Sequence, residues 1–384
     1  MTKRVLIIAG EASGDLHGAR LLAELRRAQA GGELVVYGLG GEHMLDEGLE
    51  AVADVSKISV MGLAEVVRVY IRARNIFNRV IDRVKSEPPD VAVLIDFPEF
   101  NLRLAPKLKT LGVKVVYYVS PQVWAWRKGR VKSMARSIDR MLVFFPFEVE
   151  FYRGHLDVTH VGHPLVDEVP ELEQAWDRDP PVSGQTERQL RLVLLPGSRS
   201  NEVRRLLPVM LESARDLRDR YAGLEVSVVR AASTDAAAMK RAIAASGLTV
   251  RVVGGRDRFR EIASAHLALC TSGTATLEVG LLRTPMVVVY RMGAIGYWLG
   301  RLVVKVPFIS LVNLVLGKPV VPELIQGQAR RDRLVVEAAR LLESSEARAE
   351  MRAGLGDLRQ ALGEPGAASR AAAETLAFLE GSAG

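Results

Sequence analysis

RVLIIAGEASGD (residues 4–15) and RLVLLPGSRSNE (residues 191–202) open alike: an apolar run, a glycine loop and the start of a helix. In such a unit the apolar run is a buried parallel strand, the small residues let backbone N–H groups approach a ligand, and the helix N-terminus favours an anion. Neither loop has the full dinucleotide spacing G-x-G-x-x-G, so either alone is weak evidence. Their repetition half a chain apart predicts two Rossmann-like, doubly wound α/β domains facing across a cleft.

Outward from the first loop, strands are expected near 5–9, 34–39, 91–95, 114–119, 140–145 and 159–161, alternating with helical stretches. Outward from the second they are expected near 192–195, 225–229, 249–253, 267–270 and 286–290. Between the two series, 168–189 turns to Pro, Asp, Glu and Gly and reads as a linker. After Gln328 the chain reads as two or three helices rich in Ala, Arg and Glu. The expected division is therefore an N-terminal domain at 1–167, the linker at 168–189, a C-terminal domain at 190–345, and helices at 346–384 packing back on the N-terminal domain.

At 384 residues the chain exceeds what one core usually serves, and 48% hydrophobic with 25% charged residues is ordinary for a globular protein. A lone Cys270 gives neither a disulfide framework nor a metal cluster, and no pair among the six His has metal-ligand spacing, so no metal or cofactor is expected. The N-terminus enters a strand directly from Lys3 and Arg4, without a signal-peptide pattern, which makes the cytoplasm the expected compartment. The apolar stretch at 294–317 is broken by Arg301, Lys305, Pro307 and Asn313, short of a membrane span.

The net charge of +7 invites a polyanionic partner, although Arg is spread over the whole chain. One segment stands out: VVRVYIRARNIFNRVIDRVK (66–85) sets Val66, Val69, Tyr70, Ile76, Phe77, Val80, Ile81 and Val84 at helical spacing, with Arg68, Arg72, Arg74, Arg79 and Arg83 between them. Such a helix fits an anionic membrane surface, and it equally fits packing on a sheet.

Ligands of open α/β sheets bind beyond the carboxyl ends of the strands. DFPEFN, after the strand ending at Ile95, puts Asp96 and Glu99 there. A carboxylate in that place can take a proton from a substrate hydroxyl, or it can cap a helix. With the helix expected only from Phe100 on, Asp96 lies too far ahead to be the cap. PQVWAWRKGRVK brings Trp124 and Trp126 to a strand-to-helix connection, either as the wall of a sugar or acyl site or as a plug under an interface. PGSRSNEV places Gly197, Ser198 and Arg199 where backbone N–H groups and a guanidinium meet a phosphate. TSGTATLE adds Ser272, Gly273, Thr274 and Thr276 at another helix start, with Glu278 one turn in, suited to a ribose diol. The two loops together read as a nucleotide-diphosphate site.

These strings, with GEASGD (10–15), VMG (60–62), IDFPEFN (95–101), YVSPQVWAWR (118–127), GHPLVD (162–167), Tyr290–Arg291 and SLVNLVLGKPVVPELIQ (310–326), run in the order of one family. The chain resembles the lipid-A-disaccharide synthases, inverting glycosyltransferases of the GT-B class. It departs at Val312, where that family commonly has Pro before the Asn.

The resemblance implies transfer of a 2,3-diacylglucosamine unit from its UDP form to 2,3-diacylglucosamine 1-phosphate, giving the β-1′,6-linked lipid A disaccharide and UDP. It implies Asp96 as general base on the acceptor 6-hydroxyl and Arg199, with the helix behind Gly197 and Ser198, as stabiliser of the departing diphosphate. Ser272, Gly273, Thr274 and Glu278 would hold UDP, with Arg291, Asn313, Glu323 and Gln326 completing the donor side and Glu11, Ser13 and Asp15 near the acceptor. Because both substrates carry acyl chains, the resemblance assigns Val66, Arg68, Val69, Tyr70, Arg72 and Phe77 to docking on the anionic cytoplasmic face of the inner membrane. A homodimer is compatible with it, and nucleic acid is not an expected partner. Two other readings remain: another UDP-sugar GT-B enzyme such as a UDP-N-acetylglucosamine 2-epimerase, and a non-catalytic basic peripheral membrane protein.

Overall fold

The computed structural model describes residues 2–29, 32–53, 66–126, 128–171, 190–293 and 306–380, without the side chains of 66–70, 125, 126, 128 and 380. VMG (60–62), Arg127, most of the linker (172–189) and residues 294–305 of the apolar stretch lie outside the described residues. The chain divides into two compact units, Met1–Pro164 with Gly363–Gly384, and Leu165–Leu362.

In the first unit seven strands, β1 (Lys3–Ala9), β2 (Leu34–Leu39), β3 (Glu50–Ala51), β4 (Val91–Ile95), β5 (Lys114–Tyr118), β6 (Arg140–Val143) and β7 (Val158–His160), lie in the order β3-β2-β1-β4-β5-β6-β7. All pairings are parallel. Between them run α1 (Ala12–Ala28), α2 (Glu42–Asp46), α3 (Val66–Ser86), α4 (Pro98–Thr110), α5 (Val123–Trp126), α6 (Val131–Met134) and α7 (Pro146–Tyr152). A parallel sheet is covered on both faces, which is why β1 and β4 read as unbroken apolar runs rather than alternating ones.

One face packs Val5, Ile7, Val93 and Tyr118 against Leu21, Leu22 and Leu25 of α1 and Ala371, Ala372 and Leu379 of the C-terminal helix Ala367–Glu380. The other packs Leu6, Ile8, Leu94 and Tyr117 against Ile76, Val80 and Val84 of α3 and Leu104 and Leu108 of α4.

The second unit holds β8 (Arg191–Leu195), β9 (Glu225–Val229), β10 (Val250–Val253), β11 (Leu267–Thr271), β12 (Met286–Tyr290) and β13 (Glu323–Ile325), in the order β10-β9-β8-β11-β12-β13 and again parallel. Its helices are α8 (Leu165–Glu168), α9 (Ser200–Arg220), α10 (Ala236–Ser246), α11 (Asp257–Ser264), α12 (Thr274–Leu281), α13 (Leu311–Leu316), α14 (Arg331–Glu343), α15 (Ser345–Gly356) and α16 (Leu358–Leu362). Residues 345–362 stay with this unit: a Cβ on Gly280 would lie 2.6 Å from Leu358 Cδ2, so α12 needs glycine there to let α16 seat. Only the last helix lies on the first unit. β3 and β13 were not expected. β3 is two residues long, and β13, an edge strand directly after Pro322, reads as loop because of its prolines.

Candidate active site

Register decides which loops are neighbours. In the first sheet Ala9 pairs with Ile95 on the central strands β1 and β4, where the strand order reverses, so GEASGD and DFPEFN leave the same edge side by side. A Cβ on Gly10 would sit 2.4 Å from the Phe97 ring, so glycine is what allows Phe97 to cover the first loop.

Asp96 and Phe97 both have left-handed backbones, φ 45° and 46°. Side-chain-bearing residues in that region cost on the order of 1 kcal/mol each, and such strain clusters at functional sites. Helix α4 starts at Pro98, two residues before its expected first turn, because proline at the first helical position is already set at helical φ. Phe97 is the N-cap residue and Asp96 lies one position outside it. The Asp96 carbonyl accepts from Tyr117 Oη at 2.6 Å and Asn101 Nδ2 at 2.8 Å, while Asp96 N donates to Tyr118 O at 3.0 Å.

Glu11 and Ser13 are exposed at the head of α1. Asp15 is buried: Oδ1 accepts from Gly41 N (2.7 Å) and Met44 N (3.1 Å), and Oδ2 from His43 N (3.1 Å). It thereby caps the N-terminus of α2 with a carboxylate. Trp124 is buried and donates from Nε1 to Glu148 Oε1 at 3.1 Å, which makes it a plug; the Trp126 side chain lies outside the described residues. His17 and His163 pack on Phe144, each with ring centroids 5.1 Å away.

Helix α3 divides along its length. Ile76, Val80 and Val84 are core, and the half-buried Phe77 ring packs edge-on to Phe100 at 5.5 Å. Arg72, Arg74 and Arg79 are exposed, and so is Ile71. The side chains of Val66, Arg68, Val69 and Tyr70 lie outside the described residues.

In the second sheet Leu195 pairs with Cys270, Thr271 with Val289, and Tyr290 with Ile325. The loops after β8, β11, β12 and β13 therefore form a row along one carboxyl edge, and this row contains Gly197, Ser198 and Arg199, then Ser272, Gly273 and Thr274, then Arg291, then Gln326. Gly197 has φ 109°, and a Cβ there would be 2.6 Å from Glu202 Oε2 and 3.3 Å from Thr271 Cγ2. Arg199 is the N-cap residue of α9; its side chain is 81% exposed and pairs with Glu202 at 3.1 Å. An exposed pair of this kind is worth about 1 kcal/mol or less, so a diphosphate competes easily for the guanidinium. The first N–H groups of α9 lack intrahelical partners and stand behind it.

Gly273, with φ 132°, opens α12, and Thr276 Oγ1 closes its first turn on Gly273 O at 2.8 Å. Glu278 is gripped by Arg258 through both oxygens, at 3.0 and 3.1 Å. Glu323 and Asn313 hold the chain itself. Glu323 Oε1 accepts from Ser310 N (3.0 Å), Ser310 Oγ (2.7 Å) and Asn313 Nδ2 (2.8 Å), and Oε2 accepts from Ile309 N (2.8 Å). Asn313 also exchanges bonds with the Val321 backbone, so it is pinned through its side chain without the familiar proline before it. The segment so fixed presents Ile309 O to Ser272 Oγ at 2.8 Å.

Two buried polar atoms of this edge, Thr271 Oγ1 and Gln326 Nε2, have no hydrogen-bond partner among the described residues, and Gln326 has φ 52°. Leaving a buried polar atom unpaired costs about 1–3 kcal/mol, a cost that a polar ligand would remove. Sequence reasoning missed the residues that act on the chain rather than on a ligand: Asn101, Tyr117, Ser310, Arg258 and Ser233, whose Oγ bonds Ser198 O at 3.0 Å. Asn101 and Ser310 carried a signal, as the last residue of DFPEFN and the first of SLVNLVLGKPVVPELIQ.

The chain matches the family model described as lipid-A-disaccharide synthetase over residues 5–377. It is 44% identical over 377 residues to a protein of Myxococcus xanthus named lipid-A-disaccharide synthase, covering 98% of this chain and 97% of that one. A protein of the same name from Nitrosococcus oceani is 39% identical, with 98% and 96% covered. Among solved structures it resembles a UDP-GlcNAc 2-epimerase of Neisseria meningitidis bound to UDP-GlcNAc, at TM-score 0.60 and 13% identity over 97% of this chain and 99% of that one. It also resembles the calicheamicin glycosyltransferase CalG4, at TM-score 0.59 and 16% identity over the whole of both chains. At such identities those structures show the fold, two parallel-sheet α/β domains of GT-B type, while the sequence matches settle the family: the chain belongs to the lipid-A-disaccharide synthetases.

Proposed function

We propose that the two units divide one hexosyl transfer, the second holding the UDP-activated sugar and the first activating the acceptor. The donor is UDP-2,3-diacylglucosamine, the acceptor 2,3-diacylglucosamine 1-phosphate, and the product the β-1′,6-linked disaccharide 1-phosphate of lipid A. Asp96 takes the proton from the acceptor 6-hydroxyl as that oxygen attacks the anomeric carbon from the face opposite UDP, which inverts the centre. The diphosphate leaves toward Arg199 and the head of α9, where charge gained in the transition state meets a preorganised cation and helix dipole. Ser272, Gly273, Thr274, Glu278, Arg291 and Gln326 bind the nucleotide and sugar, and Glu11 and Ser13 lie on the acceptor side. Asn313 and Glu323 serve the donor side by fixing the 309–313 segment. Acyl-chain substrates require access to a bilayer, and the basic face of α3 supplies a peripheral contact with its anionic surface. Among the described residues no helix is long and apolar enough to cross a membrane.

The observation that carries this reading is the row of four loops along one carboxyl edge, headed by an exposed Arg199, in a chain of this family. The epimerase alternative shares the fold only and is not favoured by the family match. The site assignment is tested by UDP release from the paired lipid precursors. Asp96→Asn is expected to abolish it while leaving UDP binding within several-fold, and Arg199→Ala to reduce it on the order of 100-fold or more. Unimpaired turnover in either variant removes that residue from its role.

A further inference from the structure

The turn that carries Asp96 is strained, and it is restrained by residues of β5, α4 and the first glycine loop. Two successive non-glycine residues in the left-handed region, Asp96 and Phe97, join the end of β4 to the start of α4. Ordinary strand-to-helix turns place glycine in such positions. A strained turn persists only where its surroundings over-determine it.

Three restraints meet here. Tyr117 is fully buried on β5, and its hydroxyl is given to the Asp96 carbonyl at 2.6 Å. Phenylalanine would fill the same apolar position, so the hydroxyl has to be explained by that bond. Asn101, also fully buried, points Nδ2 at three carbonyls, those of Asp96 (2.8 Å), Ile95 (3.2 Å) and Ile8 (3.5 Å). Three acceptors around one atom require a donor, which fixes the orientation of the amide and makes aspartate an isosteric opposite. From the other side the Phe97 ring occupies the space a Cβ on Gly10 would need. The carbonyl of Asp96 is thus held from two directions and its neighbour is wedged against the first glycine loop.

We infer that Tyr117 and Asn101 are positioning residues that hold the strained Asp96–Phe97 turn, and through it the Asp96 carboxylate, in the geometry of the proton transfer. The inference rests on the reading of Asp96 as general base. A general base must reach its proton within hydrogen-bond distance, so a turn that relaxes by an ångström lowers the rate without altering how substrates bind elsewhere.

Tyr117→Phe removes one hydroxyl and leaves the core filled. The expected result is a kcat reduced about 10-fold, with KM for donor and acceptor within about twofold and an unfolding midpoint within a few degrees of wild type. Asn101→Asp replaces the amide, which brings two protons to these carbonyls, by a buried carboxyl that brings at most one. Its kcat should fall about 10-fold or more, with KM for donor and acceptor within about twofold. A wild-type kcat in Tyr117→Phe or in a folded Asn101→Asp, or a loss of kcat that follows a collapse of the unfolding midpoint, overturns the assignment. Undiminished turnover in Asp96→Asn instead overturns the reading beneath it.

Discussion

Asp15 and Asp96 both follow a strand end of the first sheet, yet their surroundings give them opposite tasks. Asp15 accepts three backbone N–H bonds and anchors α2, whereas Asp96 sits half-buried on a strained turn. Residue type and place could not separate them, because the donors to Asp15 come from residues 41–44, remote in sequence. Glu323 is similar: its acidity was legible, but its four donors arrive from 309–313 only once that segment has folded onto it.

The buried titratable groups of the first unit make a prediction at this same scale. Burial lowers His17 to about 4 and His163 to about 3, with Arg20 adding to the first and His17 and His160 to the second. Burial raises Glu148 to about 7, against the bonds from Phe145 N, Ser120 and Trp124. A histidine kept neutral by the fold contributes stability above its unfolded pKa near 6.5, lost as pH falls toward 4, because the unfolded chain takes up protons that the folded one refuses. Glu148 has the opposite sign: its contribution is complete below about 4.5 and is lost as pH rises through about 7. Two histidines outweigh one carboxyl, so stability should fall on acidification from pH ~6.5 to ~5, by roughly 2 kcal/mol per histidine before the Glu148 offset. Denaturant unfolding at several pH values measures it. His163→Gln should flatten the slope and Glu148→Gln steepen it; identical slopes in all three proteins would refute the assignment.

At the scale of elements, periodicity located α3 but left its partner open, since an amphipathic pattern describes a buried stripe without saying what buries it. The sheet covers the stripe from Ile76 to Val84, leaving Ile71, Arg72, Arg74 and Arg79 outward. Replacing Arg72, Arg74 and Arg79 by Glu should release the protein from anionic vesicles while sparing the fold, at about 1 kcal/mol of surface attraction per arginine removed. Retained binding in a flotation assay would leave α3 as a packing helix only. The β13–α13 pairing gives a second test. Glu323→Ala strips four donors of their acceptor and should destabilise the protein by about 2 kcal/mol or more, with weakened UDP binding as the 309–313 segment loosens. Unchanged UDP affinity would separate that segment from the donor site.

At the scale of the molecule, the two repeated strand–loop–helix starts were enough to read two doubly wound parallel sheets, because buried parallel strands announce themselves as continuous apolar runs. The row of loops after β8, β11, β12 and β13 was legible for the same reason: strand ends locate it, and Gly197, Ser198, Arg199, Ser272 and Gly273 lie where those ends predict. What stayed hidden was set by tertiary contact, namely β13 behind its prolines, α16 seated on Gly280, and the clamp on Asp96. The central claim, that these two sheets serve a single transfer between lipid-bearing sugars, is tested most directly by incubating the protein with UDP-2,3-diacylglucosamine and 2,3-diacylglucosamine 1-phosphate and weighing the lipid products. The account predicts a disaccharide 1-phosphate and UDP in equal amounts, formed only when both substrates are present. No disaccharide, with turnover confined to a water-soluble UDP-sugar, would contradict it.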